Sequence, residues 1–275
     1  MQTVRTSVIT VAALMLSAGT LAADFATSVI GYNPGVGFAT DFSTGAGYTN
    51  ALTALGEPSR VTPGLFGGPV DPFNPPYLRE QVVSIGVGGS LTLGFGTPIQ
   101  NRAGNPFGVD FIIFGNSGFV ITNGDFSGGG ITDGSLFSAN EGTTRVSVSA
   151  DNVNWFTLDP SKASVADTLF PTDGVGSFTQ PVNPSLKASD FAGLDLAGIR
   201  GRYAGAGGGT GYDLSWSLDD AGNHVDLSAA NFIRIEVLTG RAEIDGVSIV
   251  PEPGVRTLAL LGVVVIAFAR GRGRS

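Results

Sequence analysis

Apolar and polar residues alternate with a period of two in short runs along the middle of the chain. Ser90-Leu91-Thr92-Leu93 and Arg145-Val146-Ser147-Val148-Ser149 are the clearest runs, and the pattern is that of a strand with one buried face. Val82 to Ile85, Val109 to Phe114, Trp155 to Leu158, Phe232 to Leu238 and Ile244 to Ile249 extend the series. Between them lie clusters of Gly, Asn, Asp and Pro, such as Gly86-Val87-Gly88-Gly89, Asn101 to Pro106 and Ala150-Asp151-Asn152. These residue types supply the backbone angles of turns. Asn50 to Leu55 fits a short helix, and the proline-rich piece Pro69 to Pro76 reads as an extended surface loop. No long helical period appears between the two ends. Short strands broken at regular intervals predict an all-β chain: a single β-sandwich of jelly-roll type over residues 24–249.

The ends depart from this pattern. Arg5 precedes the apolar run Val8 to Leu16 and the small residues Ser17 to Ala23, the order of a secretory signal peptide, so residues 1–23 are expected to form a signal helix that is cleaved after Ala22 or Ala23. At the other end, Val250-Pro251-Glu252-Pro253-Gly254 leads into an uncharged stretch from Leu258 to Ala269 and the tail Arg270-Gly271-Arg272-Gly273-Arg274-Ser275. Twelve residues make a hydrophobic helix of about 18 Å, short of a hydrocarbon layer of about 30 Å. The three arginines favour the cytoplasmic side, which places the body across the membrane. Residues 250–275 thus form a separate terminal segment, either a transient handle or a permanent anchor.

Composition narrows the function. The 42 glycines and 15 prolines suit a turn-rich body, and the absence of cysteine excludes disulfides and thiolate metal sites. Residues 24–250 hold 10 Lys and Arg against 22 Asp and Glu, a net charge of −12. Such a body repels nucleic acid, and it repels anionic polysaccharide unless a cation bridges the two.

Pro251-Glu252-Pro253, the short hydrophobic helix and the Arg270, Arg272, Arg274 cluster together resemble the PEP-CTERM sorting segment of exported bacterial proteins. The resemblance implies processing by signal peptidase and by an exosortase near the Pro-Glu-Pro motif. It also implies transient residence in the inner membrane, followed by release to the cell surface or the extracellular space. Arg256 departs from the family's small or apolar residues. The body is similar to that of other PEP-CTERM proteins through Ala54 to Ser59, Val83 to Leu93, Pro98-Ile99, Gly108 to Phe114 and Asn116. Val146 to Trp155 is similar to the hairpin of discoidin-like, galactose-binding-like sandwiches, with Asn152 where glycine is usual, and Phe232 to Ile235 and Glu243 to Val247 match late strands. By that analogy Trp155 belongs in the core.

Candidate chemistry is sparse. His224 is the only histidine, and neither Ser215 nor Ser217 sits in a Gly-x-Ser-x-Gly elbow. Asp219, Asp220, Asn223 and Asp226 crowd hard oxygen ligands into one turn, the chemistry of a weak Ca²⁺ candidate, although the spacing is not that of an EF-hand and a solvated acidic turn is the simpler reading. Asp125, Asp133 and Glu141 form a weaker set of the same kind. Gly205 to Gly211 lacks the Gly-Lys-Ser/Thr of a phosphate loop and reads as a flexible loop. Tyr203, Tyr212 and Trp216 are candidate glycan contacts. The expectation is a non-enzymatic surface or matrix protein that contacts exopolysaccharide; the alternative is a secreted glycan-processing enzyme using a carboxylate pair.

Overall fold

The computed structural model describes residues 25–65 and 67–251. The expected signal peptide lies outside the described residues, as do Glu252, Pro253, Arg270, Arg272 and Arg274 of the sorting segment. Fourteen strands and one α-helix are found among the described residues: β1 Ala26–Asn33, β2 Val61–Thr62, β3 Gly68–Pro69, β4 Val83–Ile85, β5 Ser90–Gln100, β6 Phe111–Gly115, β7 Gly118–Phe119, β8 Leu136–Phe137, β9 Thr143–Ser149, β10 Phe156–Leu158, α1 Leu196–Tyr203, β11 Thr210–Tyr212, β12 Ser217–Leu218, β13 Ala229–Thr239 and β14 Ala242–Ile249. The protein is mostly β. No described helix is long and apolar enough to cross a membrane.

Two sheets carry the structure, one in the order β1-β5-β13-β9-β10-β12 and the other β11-β6-β14-β4, with every pairing within them antiparallel. Alternation explains the first sheet: Ile233, Ile235 and Val237 of β13 turn inward while Arg234 and Glu236 face out. Leu91 and Leu93 of β5 and Val146 and Val148 of β9 join them in one apolar cluster with Ile113 of β6, Ile244 and Val247 of β14, and Val83 and Ile85 of β4. That shared cluster is the main core and the largest source of stability.

The second sheet is buried on both sides, so all eight residues of β14 and all five of β6 are buried. Ile112 and Phe114 of β6 meet Phe178 and Val250 on the face away from the main core. Phe178 belongs to the long excursion between β10 and β11, which also carries α1 and packs its Phe170, Val182, Phe191, Ile199 and Tyr203 with Phe119 of β7 into a third apolar cluster.

Two local expectations change and a third is met. The run Gly205 to Gly211 is a packed crossing, not a flexible loop: residues 206–210 are buried, and a Cβ at Gly209, where φ is +77°, would lie 2.5 Å from Ile112 Cγ2. The piece Pro69 to Pro76 is tucked in, with Val70, Pro72, Pro75 and Pro76 buried. The short helix expected within Asn50 to Leu55 is present as a single turn of 3₁₀ helix over Ala51–Ala54, with the Asn50 side chain accepting from Leu52 N.

Candidate functional site

An open cleft of about 300 Å³ lies where three distant segments meet: Asp71, Phe73 and Asn74; the loop of Ile121, Asp125, Phe126, Gly128 and Gly130; and Leu196 at the start of α1. Each wall is fixed by backbone chemistry. Asp71 Oδ1 accepts from Phe73 N at 2.8 Å and Asn74 N at 3.1 Å, closing a tight turn. The long loop is pinched at its neck, where Thr122 N donates to Ile131 O and Asn123 Nδ2 to Gly129 O, each at 2.8 Å. Asp125 Oδ1 accepts from Ser127 N at 2.9 Å and Ser127 Oγ at 2.6 Å. The loop is docked to the helix by the Ile131–Asp195 bridge, and Asp195 caps α1 by accepting from Gly198 N at 2.8 Å.

Two aromatic and two acidic residues therefore line one opening. Phe73 is braced against the third apolar cluster, whereas Phe126 is 80 % exposed. The carboxylates differ. Burial raises the pKa of Asp71 above the ordinary carboxylate value against the pull of its two backbone bonds, while the Ser127 hydroxyl and backbone bonds lower that of exposed Asp125. Behind Asp71, Arg200 is committed to Asp173 through Nε–Oδ2 at 2.8 Å and Nη2–Oδ1 at 2.9 Å.

No family model matches the chain, and no curated protein matches it.

The residues singled out from the sequence are placed differently. Tyr203 and Tyr212 are not glycan contacts: both are buried, with Tyr203 Oη donating to Pro171 O at 2.8 Å and Tyr212 Oη to Ser164 O at 2.9 Å. Tyr212 also stacks on Phe111 at 5.2 Å between ring centroids. Trp216 is half-buried and packs on the edge of the main core. Trp155 is not a core residue; it lies on the outer face of the first sheet under the Arg234 guanidinium, 3.9 Å from the ring centroid, so that ring face is already covered.

The proposed calcium turn is held together by its own N–H groups. Asp219 Oδ1 accepts from Ala221 N at 2.9 Å and Asn223 N at 2.8 Å, and Oδ2 from Asn223 Nδ2 at 3.1 Å. No group of three His, Cys, Asp or Glu placed to hold a metal is found among the described residues, whether from the set Asp219, Asp220, Asn223 and Asp226 or from Asp125, Asp133 and Glu141. His224 is exposed, and the Ser217 hydroxyl is spent on Leu214 O at 2.7 Å. Pro251 directly follows Val250, whose N–H donates to Asp110 O at 2.9 Å.

The sequence alone did not single out three buried carboxylates that tie loops to the second sheet. Asp167 accepts from Asn116 N at 2.9 Å, Ser117 N at 3.2 Å and Glu243 N at 2.9 Å. Asp245 accepts from Ser59 N at 2.7 Å and Ser59 Oγ at 2.8 Å. Asp110 accepts from Leu214 N at 2.9 Å, Asn105 Nδ2 at 2.9 Å and Arg102 N at 3.1 Å. Their partners are internal, which makes them cross-links of the fold rather than a site.

Proposed function

We propose that the protein is an exported surface or extracellular-matrix protein whose body binds exopolysaccharide and whose terminal Pro-Glu-Pro segment directs its sorting. The observation that carries the binding half is the cleft that sets exposed Phe126 beside Asp71, Asn74 and Asp125. A flat ring packs on the C–H face of a sugar, while carboxylate and amide groups bond its hydroxyls. In this reading the two antiparallel sheets with their shared core form a jelly-roll-like β-sandwich. It would be delivered by a signal peptide at 1–23 and released from a sorting segment at 250–275 by an exosortase. The position of Pro251, two residues after the last strand ends at Ile249, supports the sorting half, because cleavage there would spare the sheet.

A pull-down of the full chain on exopolysaccharide, with and without Ca²⁺, tests the binding half. Retention in at least one condition is expected, and no retention in either contradicts it.

One observation favours a second reading, a secreted glycan-processing enzyme. The pKa values of the two cleft carboxylates move apart, Asp71 upward and Asp125 downward, as an acid and a base on one substrate require. Release of new reducing ends from the polysaccharide, abolished by D71N and by D125N, would establish that reading; binding without release refutes it.

A further inference from the structure

Given the glycan-binding reading above, on which this inference rests, we propose that the cleft selects an amine-bearing polysaccharide, a polymer of glucosamine type with free ammonium groups. The cleft brings Asp71 and Asp125 to one opening with Phe73 and Phe126, and none of its lining residues is Lys, Arg or His. Arg200 acts on Asp71 electrostatically, but its guanidinium is already paired through two bonds with Asp173, which is buried. The opening therefore carries negative charge and aromatic faces with no cation of its own to compensate them.

An ammonium group placed between a carboxylate and a ring face gains from both, by Coulomb attraction and by cation–π attraction. A uronic acid would set carboxylate against carboxylate, on a body whose net charge is already −12. An N-acetylated sugar keeps its ring contacts and loses the charge. The shape of the cleft favours a sugar over a lysine side chain. The opening holds about 300 Å³ and is bounded by two rings, whereas a single four-carbon stem covers one ring and leaves the other in water. Asp125 and Phe126 are positioned to select because the loop that carries them is pinned at both Thr122–Ile131 and Asn123–Gly129, so little ordering is required on binding.

Isothermal titration of the full chain at low ionic strength with a glucosamine hexamer, its N-acetylated counterpart, a galacturonate hexamer and hexalysine tests the assignment. The glucosamine hexamer is expected to bind about 10-fold more tightly than the N-acetylated one, and D125N and F126A each to weaken it about 5-fold with thermal unfolding unchanged. Equal affinity for the glucosamine and N-acetylated hexamers, tighter binding of galacturonate, or full affinity in D125N overturns amine selection while leaving glycan binding in place. Hexalysine binding as tightly as the glucosamine hexamer overturns the sugar assignment. Binding of none of the four overturns both this inference and the glycan-binding reading beneath it.

Discussion

Burial of Asp110, Asp167 and Asp245 gives the fold a pH dependence of definite sign. Desolvation pushes the pKa values up to about 6, 8 and 7 respectively, against the hydrogen bonds that lower them. Between the ordinary carboxylate value and these raised values the folded chain holds protons that the unfolded chain has released. Unfolding then releases protons, so stability is greatest at mildly acid pH and falls as pH rises toward about 8. The thermal midpoint followed by circular dichroism should decline across that window, and D245N should reduce the decline; a midpoint that rises with pH contradicts the assignment. The Arg200–Asp173 pair makes a second residue-scale prediction. Asp173 is buried, so R200A leaves a buried carboxylate uncompensated and should cost about 3 kcal/mol in urea unfolding. Neither feature was legible in the sequence. Asp245 could be seen as a lone acid in an apolar strand, but its partner Ser59 lies 186 residues away, and Arg200 finds Asp173 only through the folding of the long excursion.

At the scale of elements, the strands with clean alternation were legible and the irregular ones were not. Every run named from the pattern overlaps a strand, with Arg145 to Ser149 inside β9 and Phe232 to Leu238 inside β13. The hairpin between β9 and β10 also places Asn152 at φ +61°, the left-handed angle expected where glycine is usual. Strand β1 escaped notice because register shifts at Ala26/Ser28 and Val29/Gly31 break its period of two. Helix α1 escaped because it buries only Ile199 and Tyr203 and contains two glycines; its Asp195 cap and the aromatic cluster hold it rather than an apolar stripe. Phe191 lies at the centre of that cluster, with its ring 4.9 Å from Phe119 and 6.0 Å from Tyr203 between centroids. F191A should therefore cost about 3–5 kcal/mol and expose the α1 amides to hydrogen exchange; unchanged protection of α1 would contradict this account of what holds the helix.

Over the whole molecule, the all-β class followed from patterning, while the cleft did not. Its walls come from positions near 71, 125 and 196, and no local motif announces that they meet. Asp125 was singled out, but as a metal ligand beside Asp133 and Glu141, and exposed Phe126 looks in sequence like any loop phenylalanine. The aromatic residues that did attract attention, Tyr203 and Tyr212, are consumed by packing. The two proposed terminal signals also rest on sequence alone, and in the proposed reading they make the cleft part of something delivered outside the cell. Delivery and polysaccharide holding meet in one measurement: intact-mass spectrometry of the protein recovered with the polysaccharide fraction of the producing cells. The account predicts that the protein is found there with a mass that lacks both the signal peptide and everything beyond about Pro253. Recovery only from the membrane fraction, with the Arg270 to Ser275 tail intact, would contradict it.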